Sequence, residues 1–228
     1  MELIIITIAI VAIIIVNSMM KINKKELEKI ALDSELNEIT TKYPQNTEIC
    51  KSILKKLGNA TTKIEEDINS EATLYIAVQD KISIGNTHGS FTRIQTMAHE
   101  CLHSIQDKKM LFFNFIYSNI YFIYFISICL LVIQKKLPNK MMFSNILLIL
   151  SFIYYVIRIF LENDAMIKAE YIAKQYMEGE NISTKEEIYK VYEGFKKIND
   201  GMIKGTNCNL FVKIMIKVVI FNVLALIF

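Results

Sequence analysis

Long apolar runs separated by polar segments are the main pattern of this chain. Three runs carry no charged residue: 3–16, which continues in the same character to about Met20, then 111–134 and 141–157. An α-helix needs about 20 predominantly apolar residues to cross the hydrocarbon core of a bilayer. The pattern therefore predicts a mainly α-helical integral membrane protein.

Residues 209–228 are a weaker fourth candidate, because Lys213 and Lys217 interrupt the apolar run toward one end. In a span, both side chains would have to extend their ammonium groups toward the membrane surface. We therefore expect three to four transmembrane helices, and residues 209–228 either cross the bilayer or lie along its interface. Residues 3–16 lack the basic start and the small-residue cleavage site of a signal peptide, which favours an uncleaved anchor.

The polar segments predict a small α+β part. Residues 22–40 are highly charged and indicate a helical stem that leaves the membrane. Residues 47–57 indicate an amphipathic helix, with Thr47 as a candidate N-cap and Gly58 as its stop. Residues 72–86 are β-branched and aromatic with a polar break in the middle, which predicts a β-hairpin.

These elements divide the chain into five parts. We expect an N-terminal transmembrane anchor (1–20), a polar part (21–110), a transmembrane hairpin (111–161), a helical return (162–208) and a C-terminal transmembrane or interfacial helix (209–228). Because a hairpin of two spans brings the chain back to the side where it started, both polar parts lie on the same side of the membrane.

Lysines decide the predicted orientation. They flank the spans mainly on the side of the two polar parts, although the short loop at 135–140 carries three lysines on the opposite side. Since cytoplasmic loops carry an excess of lysine and arginine, the majority predicts a multi-pass protein of the cell membrane whose polar parts face the cytoplasm. The four cysteines show no paired spacing, which agrees with a reducing compartment.

Composition and net charge limit the class of partner. The chain is 53% hydrophobic, whereas an ordinary soluble domain is about 45–50% apolar. The net charge of +3 is accounted for by the lysines beside the spans, so nucleic-acid binding gains no support. The lipid bilayer is the partner that composition predicts.

A His-Glu-x-x-His pentapeptide is the strongest candidate for chemistry. It comprises His99, Glu100 and His103, and it uses two of the three histidines in the chain. The histidine and glutamate frequencies give an expectation of roughly 0.003 such pentapeptides by chance. The motif falls in a helix that Ser90 is predicted to cap.

The helical faces of this segment separate the histidines from the core. An apolar stripe at helical spacing runs from Ile94 to Ile105, and His99 and His103 fall on nearly the opposite side. Paired histidines that merely fill a core would lie on the stripe. The remaining ordinary interpretation, two solvent-exposed histidines, treats the motif as coincidence.

Zinc chemistry explains this spacing. Two imidazoles four residues apart are neighbours on a helix and can bind one tetrahedral ion. Glu100 is offset from His99, so it reaches a water on the ion and can take its proton, because zinc lowers the pKa of that water to about 7. A catalytic site needs a third protein ligand and leaves the fourth position open.

Three residues are candidates for the third zinc ligand: His88, Glu162 and Asp164. His88 lies in a loop between two glycines and could act as a ligand or as a hydrogen-bond donor to the transition state. If the third span continues as a helix, Glu162 shares a face with several alanines, which lets a second helix approach closely, whereas Asp164 points about 200° away. We therefore prefer Glu162.

With these residues, the sequence resembles the YugP-like family of bacterial membrane-bound neutral zinc metallopeptidases. The resemblance covers most of the chain: the N-terminal anchor, the segments TEICKSILKKLG, KISIGN and MAHECLHSIQDK, and LENDAMIKA after the third span. Only MAHECLHSIQDK is specific; the other segments agree mainly in order and spacing.

The resemblance implies a gluzincin-like peptidase site. His99, His103 and Glu162 would bind Zn²⁺, Glu100 would be the general base, and the strand at 81–85 would pair with an extended substrate. This chain departs from the family pattern in two places. Leu102 replaces the usual glycine before the second histidine, and Met166 and Ile167 replace small polar residues.

The sequence thus predicts a membrane-integral zinc endopeptidase whose polypeptide substrates are membrane proteins or segments beside the membrane. HtpX-type quality-control peptidases are an alternative, but they usually carry an acidic residue where this chain has Met166. A non-catalytic membrane adaptor with structural zinc would need a fourth protein ligand. A transporter would place ionisable residues deep in the central spans, which contain none. The oligomeric state stays open.

Overall fold

Helices make up most of the computed structural model, which describes residues 1–70, 72–86 and 90–228. Within that part of the chain the helices and strands, in order, are α1 Glu2–Met20, α2 Lys24–Ala31, α3 Ser34–Thr41, α4 Asn46–Lys56, β1 Lys63–Glu66, β2 Leu74–Ile76, β3 Lys81–Ile84, α5 Arg93–Ile105, α6 Lys108–Ile133, α7 Lys140–Glu180 and α8 Lys185–Ile227. By length and composition, α1, α6, α7 and α8 are able to cross a membrane. The prediction of a mainly helical chain with up to four candidate spans is confirmed.

The chain forms two compact units. The apolar unit comprises residues 1–22, 112–160 and 204–228, and the polar unit comprises residues 23–111 and 161–203. Each unit has its own buried hydrophobic residues. All the sequence-predicted site residues that the structure describes belong to the polar unit.

The core of the polar unit is built on α4, α5 and the C-terminal part of α7. The apolar stripe of α5 is buried from Ile94 to Leu102, whereas Ile105 at its end is 43% exposed. The alanine face of α7 is also buried. The alanine side chains that follow Glu162 at helical spacing, Ala165, Ala169 and Ala173, are at most 1% exposed. The predicted alanine face is therefore part of this core.

A three-stranded sheet lies beside these helices, with the strand order β1-β3-β2. β2 and β3 are antiparallel and are joined by a short 3-10 turn, Ala77–Gln79, which confirms the predicted hairpin. β1 pairs with β3 in parallel and was not predicted. Because β3 has a neighbour on both sides, the prediction that residues 81–85 pair with a substrate is wrong: neither edge of that strand is free.

The charged stem is two helices rather than one. α2 ends at Ala31 and α3 begins at Ser34, so the predicted helix over 22–40 is interrupted. Asp33 causes the new start, because its side chain accepts hydrogen bonds from the backbone N–H groups of Glu35 and Leu36.

Two other predicted helix caps are displaced. α4 begins at Asn46 with Gln45 as its N-cap residue, so Thr47 lies inside the helix. α5 has Thr92 as its N-cap residue, whereas Ser90 accepts a hydrogen bond from the Thr92 backbone and lies before the helix. The predicted stop of α4 is confirmed, since Gly58 has a φ of +72°, the left-handed conformation that glycine adopts most readily.

Arg93 ties the start of α5 to the connection between α3 and α4. Its side chain is 4% exposed and donates hydrogen bonds to the carbonyl oxygens of Thr40, Tyr43 and Pro44 and to Oδ1 of Asn46, over 2.7–2.9 Å. The planar guanidinium can satisfy several acceptors at once, which the ammonium of lysine cannot do with the same geometry. This contact fixes where α5 begins.

Replacing Arg93 should therefore destabilise the polar unit. Arg93→Met leaves three buried carbonyls without their donor, and we expect the free energy of unfolding to fall by about 2–4 kcal/mol. Thermal unfolding in detergent micelles should show a midpoint lower by roughly 5–10 °C. Lys190→Met is the control, because Lys190 forms an exposed ion pair with Glu35 that contributes little. Equal midpoints for the two variants would contradict this role.

Candidate metal centre

Two helices of the polar unit bring three ligand atoms together. α5 carries His99 and His103, and α7 carries Glu162. The two Nε2 atoms of the histidines are 3.0 Å apart, and each lies 3.7 Å from Oε2 of Glu162. The two imidazoles and the carboxylate are the group of residues in the described chain that could hold a metal ion.

The spacing of these three atoms suits zinc. A triangle with sides of 3.0, 3.7 and 3.7 Å has a centre about 2.0 Å from each corner, and Zn–N and Zn–O bonds are about 2.0–2.2 Å long. The side chains of His99 and His103 are only 17% and 12% exposed, so they are neither core residues of the apolar stripe nor free surface histidines.

Glu100 lies beside this group and is held by the sheet. Its Oε2 accepts a hydrogen bond of 2.6 Å from the backbone N–H of Tyr75 in β2, and its Oε1 is 3.9 Å from Nε2 of His99. The residue is 7% exposed, more enclosed than its polar face predicted, because β2 packs over it. Burial raises the pKa of the Glu100 carboxyl group above its ordinary value.

A hydrogen-bond network fixes β2 where it meets Glu100. The Tyr75 hydroxyl donates to Oδ1 of Asp80 over 3.0 Å, and Asp80 also accepts hydrogen bonds from the hydroxyl groups of Thr61 and Thr62. Burial, together with this bond to a carboxylate, raises the pKa of Tyr75 to about 12. The Tyr75 ring is thereby anchored, and its backbone N–H keeps a fixed position against the glutamate.

Gln106 determines the protonation of His103. Its Nε2 donates to the carbonyl oxygen of Leu161 over 2.8 Å, so its Oε1 is the atom that faces Nδ1 of His103 at 2.9 Å. An amide oxygen only accepts, which places the imidazole proton on Nδ1 and leaves the lone pair of Nε2 for a metal ion. This role of Gln106 was not predicted, because its partner Leu161 is distant in the chain.

The electrostatics of His103 also favour a bound cation. Burial by itself lowers the pKa of His103, but the hydrogen bond and the negative charge of Glu162 outweigh burial, and the pKa is raised overall. The lone pair on Nε2 is therefore more basic than usual and binds a proton or a metal ion more tightly.

The other candidates for the third ligand contribute less. Asp164 pairs with Lys168 over 2.6 Å, and its other oxygen is 3.5 Å from Nε2 of Gln106; it does not join the three-atom group. His88, the loop candidate, lies outside the described residues.

A cavity of about 470 Å³ opens beside His99 and was not predicted. Four helices, α2, α5, α7 and α8, contribute to its wall, all through residues of the polar unit. Most of the lining is apolar, including Leu27, Met166, Ile198 and Met202, with Thr96 on the side of α5. The candidate centre therefore has a space next to it that suits an apolar side chain.

No family model, curated protein or solved structure matches this chain. The resemblance to the YugP-like family stays a prediction that depends on the motifs quoted above. The geometry of the polar unit is thus the main support for any functional conclusion.

Metal content tests the three-atom group directly. We expect the detergent-purified full chain to contain about one zinc ion, and Glu162→Ala to lose most of it, because two histidines alone leave the site short of a ligand. Asp164→Ala is the matched control, since Asp164 pairs with Lys168 and should not affect zinc. Elemental analysis of the three proteins measures this. Zinc retained by Glu162→Ala would show that another residue is the third ligand.

Zinc affinity tests the role of Gln106. Gln106→Leu removes the acceptor that keeps the His103 proton on Nδ1, and we expect affinity to fall about 10–100-fold. Thr96→Val is the control, because the Thr96 hydroxyl donates to the carbonyl oxygen of Thr92, the N-cap residue of the same helix, and among the described residues it has no hydrogen bond to His99 or His103. Competition with a chelating dye gives both affinities, and equal values would argue against the orienting role.

Proposed function

We propose that this protein is a membrane-integral zinc metallopeptidase with a gluzincin-like site. One observation carries the proposal: Nε2 of His99, Nε2 of His103 and Oε2 of Glu162 surround a point about 2.0 Å from each, a zinc-bond length. Glu100 lies next to that point on the same helix as both histidines. This arrangement supports hydrolysis of a peptide bond.

Each side chain has a distinct task in this mechanism. His99, His103 and Glu162 would hold Zn²⁺, and the chemistry that the ion would supply is that of a Lewis acid, which polarises a carbonyl group and lowers the pKa of water to about 7. Glu100 moves the proton: Oε1 takes it from the attacking water and then delivers it to the nitrogen of the leaving amine. Burial raises the pKa of Glu100, which makes it a stronger base.

The number of ligands favours catalysis over a structural role. A structural zinc normally has four protein ligands, whereas a catalytic one has three and an open position. The described part of the chain offers three, and Asp164 is engaged by Lys168. The non-catalytic adaptor is therefore the weaker proposal.

The proposed substrates are polypeptides in or beside the membrane. Glu162 follows an apolar run within the same helix, α7, and His103 precedes Leu111 at the start of another apolar run by eight residues. Both ligands are thus close along the chain to candidate spans, and the lysine distribution favours the cytoplasmic side. Met166, which lines the cavity, occupies the position at which HtpX-type peptidases usually carry an acidic residue, and this weakens the HtpX-type alternative.

Glu100→Gln separates the peptidase from the adaptor. Glutamine keeps the shape of the side chain but cannot take a proton, so we expect the turnover number to fall by a factor of about 10²–10⁴. Zinc content should not change, because Glu100 is not one of the three ligand residues. Turnover is measured on a detergent-solubilised membrane protein, with Asp164→Asn as the control that keeps its activity.

Three results would count against parts of this proposal. Unchanged turnover in Glu100→Gln would exclude the general-base role, and a wild type that binds zinc but cleaves nothing would favour the adaptor. Equal cleavage of a soluble unfolded protein and of a membrane protein would exclude the proposed preference for membrane substrates.

A further inference from the structure

Lys217 occupies an unexpected position in the apolar unit. The sequence led us to expect that it extends toward the membrane surface. Instead, its Nζ lies 4.4 Å from the ring centroid of Tyr121 and 5.8 Å from the centroids of Phe122 and Phe125. The ammonium group is therefore held on an aromatic platform formed by α6.

The platform lies at the middle of the candidate spans. Tyr121 is thirteen residues after Lys108, about 20 Å along α6, and its hydroxyl hydrogen-bonds to Ser151 in the apolar part of α7. In a hydrocarbon core about 30 Å thick, this level is far from both surfaces. Lys217 thus places a cation near the centre of the membrane.

The platform is also fixed. Tyr121 is 1% exposed, and its ring stacks on Tyr154 with centroids 5.2 Å apart. The hydrogen bond to Ser151 is 3.0 Å long and holds the ring from the other end. Lys217 therefore rests on a rigid surface and not on a mobile loop or a helix end.

No acidic side chain inside the apolar unit can neutralise this cation. The only acidic side chain in residues 1–22, 112–160 and 204–228 is Glu2, which pairs with the N-terminal amine. Among the described residues, Lys217 forms no ion pair, and aromatic rings satisfy its N–H donors poorly. An isolated charge at this level costs several kcal/mol, and membrane proteins usually pair it with another group.

The face of α8 that bears Lys217 is open to a neighbouring helix. Lys213, Ile216, Lys217 and Ile220 lie on one face, and apart from the half-buried Lys217 all of them are exposed. The opposite face, which includes Val218, packs into the core of the apolar unit. Residues that recur every three to four positions on one side of a helix form a surface against which a single partner helix can pack.

We propose that this face of α8 binds a transmembrane helix of another protein, one that carries a carboxylate at mid-membrane level as the counter-ion of Lys217. A lipid headgroup is a poorer occupant, because it lies about 15 Å away at the membrane surface. A second copy of this chain is excluded as the donor, since its only acidic side chain in the apolar unit is Glu2 at the end of α1. This inference does not depend on the proposed peptidase function.

Association with a designed helix tests the proposal. The probe is a leucine–alanine peptide of about 24 residues with a central glutamate, and the matched peptide has glutamine there. The full chain carries a donor fluorophore at its N-terminus, each peptide carries an acceptor, and energy transfer is measured in phosphatidylcholine vesicles. We expect the glutamate peptide to bind about tenfold more tightly, the usual strength of polar contacts between membrane helices.

Substitutions in the chain test whether Lys217 is the residue responsible for tighter binding of the glutamate peptide. Lys217→Met should abolish the preference for glutamate, and Lys217→Arg should keep it. If Lys217→Met does not fold, Lys217→Gln replaces it with a side chain of similar length. Lys213→Met is the matched control, because Lys213 lies on the same face one turn away and is absent from the aromatic platform.

The outcomes that overturn the proposal are specific. Equal binding of the two peptides to the unchanged chain would contradict the proposal. A preference for the glutamate peptide that survives in both Lys217→Met and Lys217→Gln would also contradict it, as would a preference that Lys213→Met abolishes. Equal binding of the peptides combined with a loss of fluorescent phosphatidylglycerol binding in Lys217→Met would assign the site to a lipid instead.

Discussion

The orientation of α5 is the constraint on which the candidate metal centre depends. Its apolar stripe, with Ile94, Met97 and Cys101 fully enclosed, can face only the core of the polar unit. Because the two histidines lie on nearly the opposite side of the helix, burial of the stripe determines their direction. Contacts at each end prevent rotation of α5: the Arg93 side chain binds four acceptors at its start, and Gln106 binds the carbonyl oxygen of Leu161 directly after its end.

The position of Glu162 in the candidate metal centre depends in the same way on the burial of a helix face, here that of α7. The buried alanines put Glu162 on the core-facing side of that helix, and the bond from Gln106 to Leu161 connects α5 to the residue just before Glu162. One glutamine thus holds both His103 and the segment that carries Glu162, the candidate third ligand. On the side of the sheet, the backbone N–H of Tyr75 holds the Glu100 carboxylate by a hydrogen bond. The four candidate site residues are therefore positioned by helix burial, one side-chain amide and one backbone N–H.

Helical periodicity made the most reliable part of this site predictable. The face shared by His99 and His103 and the alanine face of Glu162 follow from residue spacing alone, and the hairpin follows from its β-branched and aromatic composition. β1 was missed because its residues, Lys63–Glu66, are mostly charged and become a strand only by pairing with β3. The helix start at Arg93 and the role of Gln106 depend on partners about 50 residues away, which no local pattern reveals. The central position of β3 leaves β2 as the sheet edge beside Glu100, with the Tyr75 N–H already engaged.

The buried Arg93 of the polar unit and the half-buried Lys217 of the apolar unit differ in whether oxygen acceptors surround the cation. Arg93 is surrounded by four oxygen acceptors from its own unit, so its charge and its donors are satisfied without any partner. Among the residues that the structure describes, Lys217 contacts aromatic rings but no oxygen acceptor, in a unit whose only acidic side chain is paired elsewhere. A fold that fully satisfies one buried cation and leaves another on an open helix face indicates that the second awaits an external group. Water can meet that need at a protein surface, but at the centre of a bilayer it is excluded, and a carboxylate on a neighbouring helix is the group that remains.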